Sequence, residues 1–335
     1  MKKKRILVTG GAGYIGSHTV LQLLKEGYEV VVFDNLDYGH KEAVPDSVKL
    51  IIGDLRNYDE INEVFKNYKF DGVIHFAAYA LAGESVDNPG KYFRNNVFGT
   101  LNLLQIMVDN QVKKLVFSSS CAVYGQPEKL PIDETESKKP ESPYGESKLM
   151  VEQMLRWFRG SLGLRFVALR YFNAAGAALD ASIGEDHHPE THLIPIALQV
   201  AAGKRSEITI FGDDYDTPDG SCVRDYIHVL DLADVHLKAL EYLLEGGESD
   251  AFNVGTGHGY SVKQIIDVVK SVTGVDFKVK LGDRRPGDPA YLYANNEKVN
   301  KRLNWSTKYS DIEKIVTTAW NWHRSNPEGY PSSKL

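Results

Sequence analysis

The sequence has few cysteines, no long apolar run and no excess of basic residues. Its 335 residues include only Cys121 and Cys222, which excludes a disulfide framework and a cysteine-rich zinc site. No stretch approaches the roughly 18 apolar residues of a membrane span, and the apolar run 6–8 is too short for a signal-peptide core. The net charge of -6 argues against a nucleic-acid partner. We therefore expect a cytoplasmic protein that binds neither nucleic acid nor membrane.

Short apolar segments alternate with segments of helical periodicity in the first half of the chain. The pattern predicts strands at 6–8, 29–34, 48–52, 72–76, 114–118 and 165–170 and helices at 16–25, 59–67, 92–110 and 143–158. Strands that alternate with helices form a parallel sheet covered on both faces. The sequence therefore predicts an α/β fold with a doubly wound parallel sheet.

After about residue 173 the segments become irregular and rich in Gly, Pro, Asp and His, which is typical of ordered loops that carry binding groups. We expect residues 1–176 to form a cofactor-binding domain. Residues 177–228 and 256–335 are expected to form a smaller α/β lobe that binds the substrate. A predicted helix and strand within 229–255 are expected to return to the main sheet.

A glycine-rich turn follows the first predicted strand. Gly10, Gly13 and Gly16 have G-x-x-G-x-x-G spacing, and Gly11 with the last two also fits G-x-G-x-x-G. Such a turn lets the backbone approach a pyrophosphate and lets the next helix pack closely on the sheet. That helix presents free N–H groups to the phosphates. With a strand before it and a helix after it, the turn predicts a dinucleotide site.

Two carboxylates follow the next two strands. Asp34 ends the second strand, where its carboxylate can accept the ribose hydroxyls of a dinucleotide. The same charge repels the 2′-phosphate of NADP, so we expect NAD as the cofactor. Asp54 follows the third strand, and two roles stay open for it: a hydrogen bond to adenine, or a cap on the turn that follows.

A second constellation lies at the start of a predicted helix. Ser142 suits the N-cap and Pro143 the first helical position, so Tyr144 and Lys148 lie four residues apart on one helix face. A nearby ammonium favours the phenolate, which can then take a proton from a substrate hydroxyl. Ser120 follows the strand 114–118, at the sheet edge where ligands bind. We predict Tyr144, Lys148 and Ser120 as the catalytic residues.

These features together resemble the extended short-chain dehydrogenase/reductase family. The matching stretches reach from the first strand to about residue 295: VTGGAGYIGSH, GDLRN, VIHFAA, GESVDNP, NNVFGTLNLL, VFSSSCAVYG, SPYGESKLMVEQ, LRYFNAAGA, HLIP, VRDYIHVLDLA, FNVGTG and RRPGDP. Within the family, the chain is similar to the enzymes that epimerise UDP-sugars at C4. The resemblance implies a Rossmann-type fold, a retained NAD, and UDP-glucose and UDP-galactose as substrates that interconvert through a 4-keto sugar.

The resemblance also implies the residues of both sites. Expected at the cofactor are Gly10, Gly13, Tyr14, Ile15, Gly16, Asp34, Asn35, Asp54, Leu55, Phe76, Ala77, Ala78, Asn96, Ser118, Tyr144, Lys148 and Tyr171. Expected at the substrate are Ser120, Tyr144, Asn173, His192, Leu193, Phe211, Arg224, Tyr226, Arg285 and Asp288. Among these, the two arginines are expected to clamp the diphosphate and Phe211 to stack on uracil. A homodimer is implied as well, built from the helices predicted at 92–110 and 143–158.

The chain departs from the family pattern at three places. Ala80 stands where many members have a lysine that contacts the cofactor ribose. His187, His188 and His192 resemble metal ligands, but they lie in a proline-rich loop without helical spacing, and the family needs no metal, so we expect none. The resemblance implies that Leu292, four residues after the Asp of Arg-Pro-Gly-Asp, lies near the substituent at C2 of the sugar. Because it is intermediate in size, it predicts UDP-glucose and UDP-galactose as the main pair with weak N-acetyl activity.

Three other functions are compatible with the same fold. A nucleotide-sugar 4,6-dehydratase needs an acid pair after the catalytic hydroxyl residue, and Ser120 is followed here by Cys121 and Ala122. A cofactor-sensing binding protein of the same fold tends to lose the tyrosine or the lysine. Epimerases of UDP-N-acetylglucosamine or UDP-glucuronate remain open alternatives.

Overall fold

The computed structural model describes residues 3–285 and 287–331. Its strands are β1 (Arg5–Thr9), β2 (Glu29–Asp34), β3 (Lys49–Ile52), β4 (Gly72–His75), β5 (Lys114–Ser118), β6 (Arg165–Tyr171), β7 (Asn173–Ala175), β8 (Ile208–Phe211), β9 (Val223–Arg224), β10 (Tyr226–His228), β11 (Asp250–Val254), β12 (Tyr260–Ser261), β13 (Val279–Gly282) and β14 (Tyr291–Leu292). Its α-helices are α1 (Tyr14–Lys25), α2 (Tyr58–Asn67), α3 (Ala82–Asp87), α4 (Pro89–Tyr92), α5 (Gly99–Asp109), α6 (Pro143–Leu162), α7 (Leu193–Ala201), α8 (Val229–Leu244), α9 (Val262–Thr273), α10 (Glu297–Leu303) and α11 (Ile312–Ser325). Short 3₁₀ turns lie at Lys41–Ala43 and Cys121–Val123.

A seven-stranded parallel sheet in the order β11-β6-β5-β4-β1-β2-β3 forms the centre of the fold. The chain order reverses direction between β1 and β4, which is where ligands bind in such sheets. Alternate residues of a strand face opposite sides. Ile6 and Val8 therefore pack with α1 and α8, while Leu7 packs with α2, α5 and α6. The predicted doubly wound sheet is confirmed.

The remaining elements form small sheets beside the carboxyl end of the main sheet. β8 pairs with β13, β7 pairs with β10, and β9 lies between β12 and β14. α7, α9 and α11 pack against this region around an apolar core that includes Ile194, Ile265 and Ile315. The segment β11 returns to pair with β6 at the edge of the main sheet. In the part of the chain that the structure describes, no helix has the length and apolar character needed to cross a membrane.

The helix predicted at 92–110 is not one continuous α-helix. α4 leads into a π-helical turn, Phe93–Phe98, before α5 begins at Gly99. The wider turn accompanies a tertiary constraint: the buried Asn96 side chain accepts from the Tyr79 backbone N–H at 2.9 Å and donates to the Tyr79 carbonyl at 3.0 Å. Such π-turns are frequent at functional sites. This one anchors the strand-end segment that carries Tyr79.

Candidate active site

A cavity of about 350 Å³ opens where the strands of the main sheet end. Its wall includes the predicted cofactor residues Gly10, Gly13, Tyr14, Ile15, Gly16, Asp34, Asn35, Asp54, Leu55, Phe76, Ala77, Ala78, Tyr144 and Tyr171 and the predicted substrate residues Ser120, Asn173 and His192. The carboxyl ends of parallel strands meet at one sheet edge, so segments far apart in sequence converge here. One cavity therefore brings together most of both predicted sites.

The glycine turn after β1 has the close backbone contacts that its G-x-x-G-x-x-G pattern predicts. Gly10 has φ of 74°, and a Cβ there would lie 2.4 Å from the Ala77 nitrogen. A Cβ on Gly16 would lie 2.1 Å from the Gly10 carbonyl oxygen, so only glycine lets α1 start this close to β1. Gly13 is the N-cap of α1 and has no side chain over the free N–H groups. This is a cradle for a pyrophosphate at a helix N-terminus.

Asp34 ends β2 with its carboxylate fixed from both sides. One oxygen accepts from the Ala12 N–H at 2.9 Å and the other from the Leu36 N–H at 2.9 Å. Burial raises the pKa of this carboxyl, and the two backbone donors oppose the shift. Each oxygen keeps a second lone pair and Asp34 lines the cavity, which suits a ribose diol.

Asp54 caps the turn after β3 and also lines the cavity. Its carboxylate accepts from the Arg56 backbone N–H at 2.7 Å and from the Arg56 Nε at 2.9 Å. These hydrogen bonds hold the pKa of Asp54 below its usual range. Of the two roles left open, capping is thus seen in the structure, and contact with adenine stays a prediction.

Tyr144 and Ser120 line the cavity, and Lys148 lies close behind them. α6 begins as predicted: the Ser142 hydroxyl accepts from the Gly145 N–H at 3.2 Å, and Pro143 holds the first position. The Ser120 hydroxyl opposes the rise that burial causes in the pKa of the Tyr144 phenol. The Lys148 ammonium lies 5.9 Å from the centroid of the Tyr144 ring and donates to the Ser118 carbonyl at 2.8 Å. The three predicted catalytic groups therefore share one site.

Burial acts on both titrating groups of this trio. It raises the pKa of Tyr144, with a hydrogen bond from Ser120 opposing the shift. It lowers the pKa of Lys148 from 10.5 to about 7. A buried phenol beside a half-charged lysine keeps its proton. Formation of the phenolate therefore depends on positive charge at this spot, and Lys148 is placed to provide it.

Three predicted cofactor residues do not line the cavity but lie behind residues that do or are bonded to them. The Asn96 side chain hydrogen-bonds to the backbone of Tyr79, and the Ser118 and Tyr171 hydroxyls are hydrogen-bonded at 2.6 Å. The buried Lys148 ammonium donates to the Ser118 carbonyl. None of these three is among the described residues that line the cavity. They hold lining residues in position rather than forming the surface themselves.

The predicted substrate residues divide into two groups. Those outside the described lining of the cavity are Leu193, Phe211, Arg224, Tyr226, Arg285 and Asp288. Arg224 forms an ion pair with Asp288. The Arg285 guanidinium covers one face of Phe211 at 4.2 Å from the ring centroid. Burial raises the pKa of the Cys121 thiol, a lining residue, to about 12, and the charge of Arg224 opposes this shift.

Some residues that line the cavity were not predicted from the sequence as cofactor or substrate residues. Tyr38 and Tyr79 form part of the wall, and the Lys91 ammonium lies 4.5 Å from the centroid of the Tyr79 ring and 3.3 Å from the Tyr38 hydroxyl. The same ammonium forms a 2.6 Å ion pair with Glu84. Glu185 and His187 also line the cavity. No spacing rule joins these segments, which are brought together only by the fold.

The fold and the site together define a dinucleotide-dependent enzyme of the Tyr/Lys type on a doubly wound sheet. The glycine turn, the carboxylate at the end of β2 and the predicted catalytic Tyr144 line one cavity. A sequence model of the NAD dependent epimerase/dehydratase family matches residues 6–255. The chain belongs to this family, and NAD is its cofactor. The family resemblance predicted from the sequence is confirmed.

Individual relatives are similar over nearly their full length. A UDP-glucose 4-epimerase of Lacticaseibacillus casei is 53% identical over 325 residues, which cover 97% of this chain and 98% of that one. The crystal structure of a UDP-glucose 4-epimerase from Bifidobacterium longum in complex with NAD+ and UDP is 40% identical, with a TM-score of 0.92 over 98% of this chain and 100% of that one. The UDP-Glc/GlcNAc 4-epimerase of Campylobacter jejuni is 45% identical, with a TM-score of 0.85 over 96% and 99%.

Proposed function

We propose that this chain catalyses the NAD-dependent, reversible epimerisation of UDP-glucose and UDP-galactose at C4, through a 4-keto sugar. The observation that carries the proposal is the position of Tyr144 and Ser120 in the same cavity as the pyrophosphate cradle. The relatives named UDP-glucose 4-epimerase support the substrate pair. A sensor would not need an acid/base group at the cofactor.

The residues present divide the chemistry between them. NAD held at the glycine turn and Asp34 would supply the hydride acceptor and donor for C4 of the sugar. Tyr144 takes the proton of the 4-hydroxyl group and later returns it to the 4-keto oxygen. Ser120 hydrogen-bonds the same oxygen, and Lys148 favours the phenolate by charge attraction. Arg224 and Arg285 bind the diphosphate, which leaves the sugar free to present either face.

The experiment that tests the function is a single incubation. The purified protein is mixed with UDP-galactose and no added NAD, and the products are separated by chromatography. Formation of UDP-glucose to a constant ratio, reached also from UDP-glucose, is the expected result. Absence of any product, with NAD detected in the denatured protein, would contradict epimerase activity while leaving the family assignment intact.

Selectivity at C2 of the sugar is proposed to depend on Leu292. This side chain packs in the apolar cluster that includes Phe172 and Cys121, both of which line the cavity. The Campylobacter jejuni relative, by its name, also acts on an N-acetylated sugar, so UDP-N-acetylglucosamine is the second candidate substrate.

Changing the size of residue 292 should move this selectivity in both directions. We expect Leu292→Gly to raise the turnover of UDP-N-acetylglucosamine relative to UDP-glucose about tenfold, and Leu292→Tyr to lower it about tenfold, since pocket-size effects are worth roughly 1–3 kcal/mol. Both pairs are assayed at matched concentration. Equal ratios in the two variants would show that residue 292 does not face C2.

We also propose a homodimer that pairs through α6 and the segment 93–109. Apolar side chains are exposed on both: Trp157, with 76% of its surface accessible, on α6, and Phe98 and Leu101 on the other segment. Exposed apolar surface of this kind is typical of interfaces. Two such helices from each copy would form a four-helix bundle.

A charge at residue 157 should break the proposed dimer. We expect Trp157→Glu to sediment as a monomer in analytical ultracentrifugation, because the charge would be buried unpaired in the interface. The matched control is Leu281→Glu on β13, where the wild-type leucine is 53% exposed but lies away from both helices. A dimeric Trp157→Glu variant would exclude this interface.

We further infer a role in galactose metabolism and a cytoplasmic location. Cys121 and Cys222 are free thiols, which suits a reducing compartment. Loss of growth on galactose when the chain is removed from its host would support the metabolic role. Recovery of the protein outside the cytoplasm on cell fractionation would contradict the location.

A further inference from the structure

A cluster of four titratable side chains lies in the loop between β7 and α7, at one edge of the cavity. Glu185, His187, Glu190 and His192 each contribute one potential ligand atom, and these atoms all lie within 4.8 Å of one another. Glu185, His187 and His192 also line the cavity. The proposed epimerisation uses neither Glu185, His187 nor Glu190.

The spacing of these atoms is that of a metal site. Glu185 Oε1 lies 2.9 Å from His192 Nδ1 and 3.2 Å from His187 Nδ1, and Glu190 Oε2 lies 3.8 Å from His187 Nδ1. Ligands about 2.1 Å from a tetrahedral zinc ion are about 3.4 Å apart. These three separations lie on both sides of that value, whereas the widest separations in the cluster, up to 4.8 Å, would shorten when an ion binds.

The two carboxylates are buried, and only imidazoles neutralise them. Glu185 is 4% exposed and Glu190 is 8% exposed. Among the residues that the structure describes, their ion-pair partners are His187 and His192 and no lysine or arginine. Two buried carboxylates carry a charge that a divalent cation would cancel.

The His187 ring provides an independent sign of a ligand. Its Nδ1 atom is buried and makes no hydrogen bond within the described residues, although it lies 3.2 Å from Glu185 Oε1. An imidazole nitrogen that faces a carboxylate without hydrogen-bond geometry costs free energy unless another group binds it. Coordination of a shared cation by both groups removes this cost.

The Glu190 carboxylate is held in the orientation that a ligand needs. Its Oε1 atom accepts from the Thr191 N–H at 2.7 Å and from the His192 N–H at 2.8 Å. These bonds fix the carboxylate and leave Oε2 on the side of His187. Outer-shell hydrogen bonds of this kind orient the ligands of metal sites.

We propose that Glu185, His187, Glu190 and His192 bind a divalent transition-metal ion, with zinc as the first choice. Two imidazoles with two carboxylates suit zinc, whereas magnesium and calcium select oxygen ligands. The ion would fix the loop 185–192 against α1, since the His187 ring packs edge-on against Tyr14 at 6.2 Å. This role is structural and separate from the proton transfer proposed for Tyr144, although His192, a predicted substrate residue, would belong to both sites. It goes against the absence of a metal expected from the sequence.

The test measures metal binding in the NAD-bound protein without UDP-sugar. The protein is treated with a chelator, dialysed and titrated with ZnCl2 by calorimetry, and its metal content is determined by mass spectrometry. We expect about one zinc ion per chain in the wild type, and an affinity roughly 100-fold lower in His187→Gln, since even outer-shell losses cost 10- to 100-fold. His188→Gln is the matched control because the neighbouring His188 is 66% exposed and pairs with Asp186 outside the cluster.

Each outcome decides the proposal. Tight zinc binding in the wild type and in His188→Gln, but not in His187→Gln, supports it. Equal zinc affinity in all three proteins, or no binding tighter than that of magnesium, overturns it in favour of a metal-free network of protonated histidines. If His187→Gln does not fold, visible absorption of cobalt in the wild type decides: bands of tetrahedral cobalt that zinc removes support the site, and their absence overturns it.

Discussion

Replacing Tyr144 with Phe should lower the turnover of UDP-galactose about 1000-fold, because a positioned acid/base group contributes roughly 10²- to 10⁴-fold. The substitution removes only the phenolic oxygen, and Tyr144 shares the cavity wall with Ser120. The ring of residue 144 would still fill its place at the start of α6. We therefore expect the fold and the NAD content to remain at wild-type levels, and the loss to appear in kcat.

The matched control for this variant is Tyr58→Phe. Tyr58 is the first residue of α2 and is exposed, with its hydroxyl 3.4 Å from Asp109. Turnover is measured by the appearance of UDP-glucose, and NAD by its release on denaturation. If Tyr144→Phe retained turnover within tenfold of the control, another group would have to carry the proton, and the assignment of Tyr144 would be wrong.

The sequence predicted the parts of the fold that depend on local patterns. Apolar strands, the glycine turn and the Ser142–Pro143 helix start are each set by residues close together in the chain, and β1, α1 and α6 lie where they were predicted. The π-turn at Phe93–Phe98 could not be predicted, because it is tied to a contact between Asn96 and Tyr79 across the fold. Local helix propensity does not indicate a contact between residues far apart in the sequence.

The active site shows the same division. Gly10 and Gly16 were predicted because a steric rule links them to a helix start, and the close Cβ distances agree with that rule. The Lys91 ammonium lies near Tyr38 only because a helix from another segment packs there. Glu185 and Glu190 escaped notice because the spacing of the loop alone does not indicate which of its carboxylates fold inward.

Replacing Lys148 with Met should lower turnover roughly 100-fold and stabilise the NAD-free protein at neutral pH. The activity falls because the charge that favours the Tyr144 phenolate is lost. Stability rises because Lys148 is buried, which lowers its pKa from 10.5 to about 7. That difference corresponds to at most roughly 5 kcal/mol, at about 1.4 kcal/mol per pH unit. Loss of the hydrogen bond to the Ser118 carbonyl costs only about 1–3 kcal/mol.

The sign of the stability change should reverse with pH. Between pH 7 and 10.5 the unfolded wild type holds a proton on Lys148 that the folded protein lacks, so wild-type stability rises with pH across this window. Below pH 7 both states are protonated and the full cost of burial remains. We therefore expect Lys148→Met to be more stable than the wild type by about 2–4 kcal/mol at pH 6.5. At pH 10.5 we expect it to be less stable, because the substitution then removes little burial cost but still loses the hydrogen bond to Ser118.

Urea unfolding of the NAD-free proteins at pH 6.5, 8.5 and 10.5 measures this change of sign. The control is Lys301→Met, whose wild-type lysine is 77% exposed, and its stability should differ from that of the wild type by less than about 0.5 kcal/mol at each pH. A Lys148→Met variant that is less stable at every pH would mean that the ammonium is well solvated or paired. In that case burial would not depress its pKa, and Lys148 would stay fully charged beside Tyr144 throughout the neutral range.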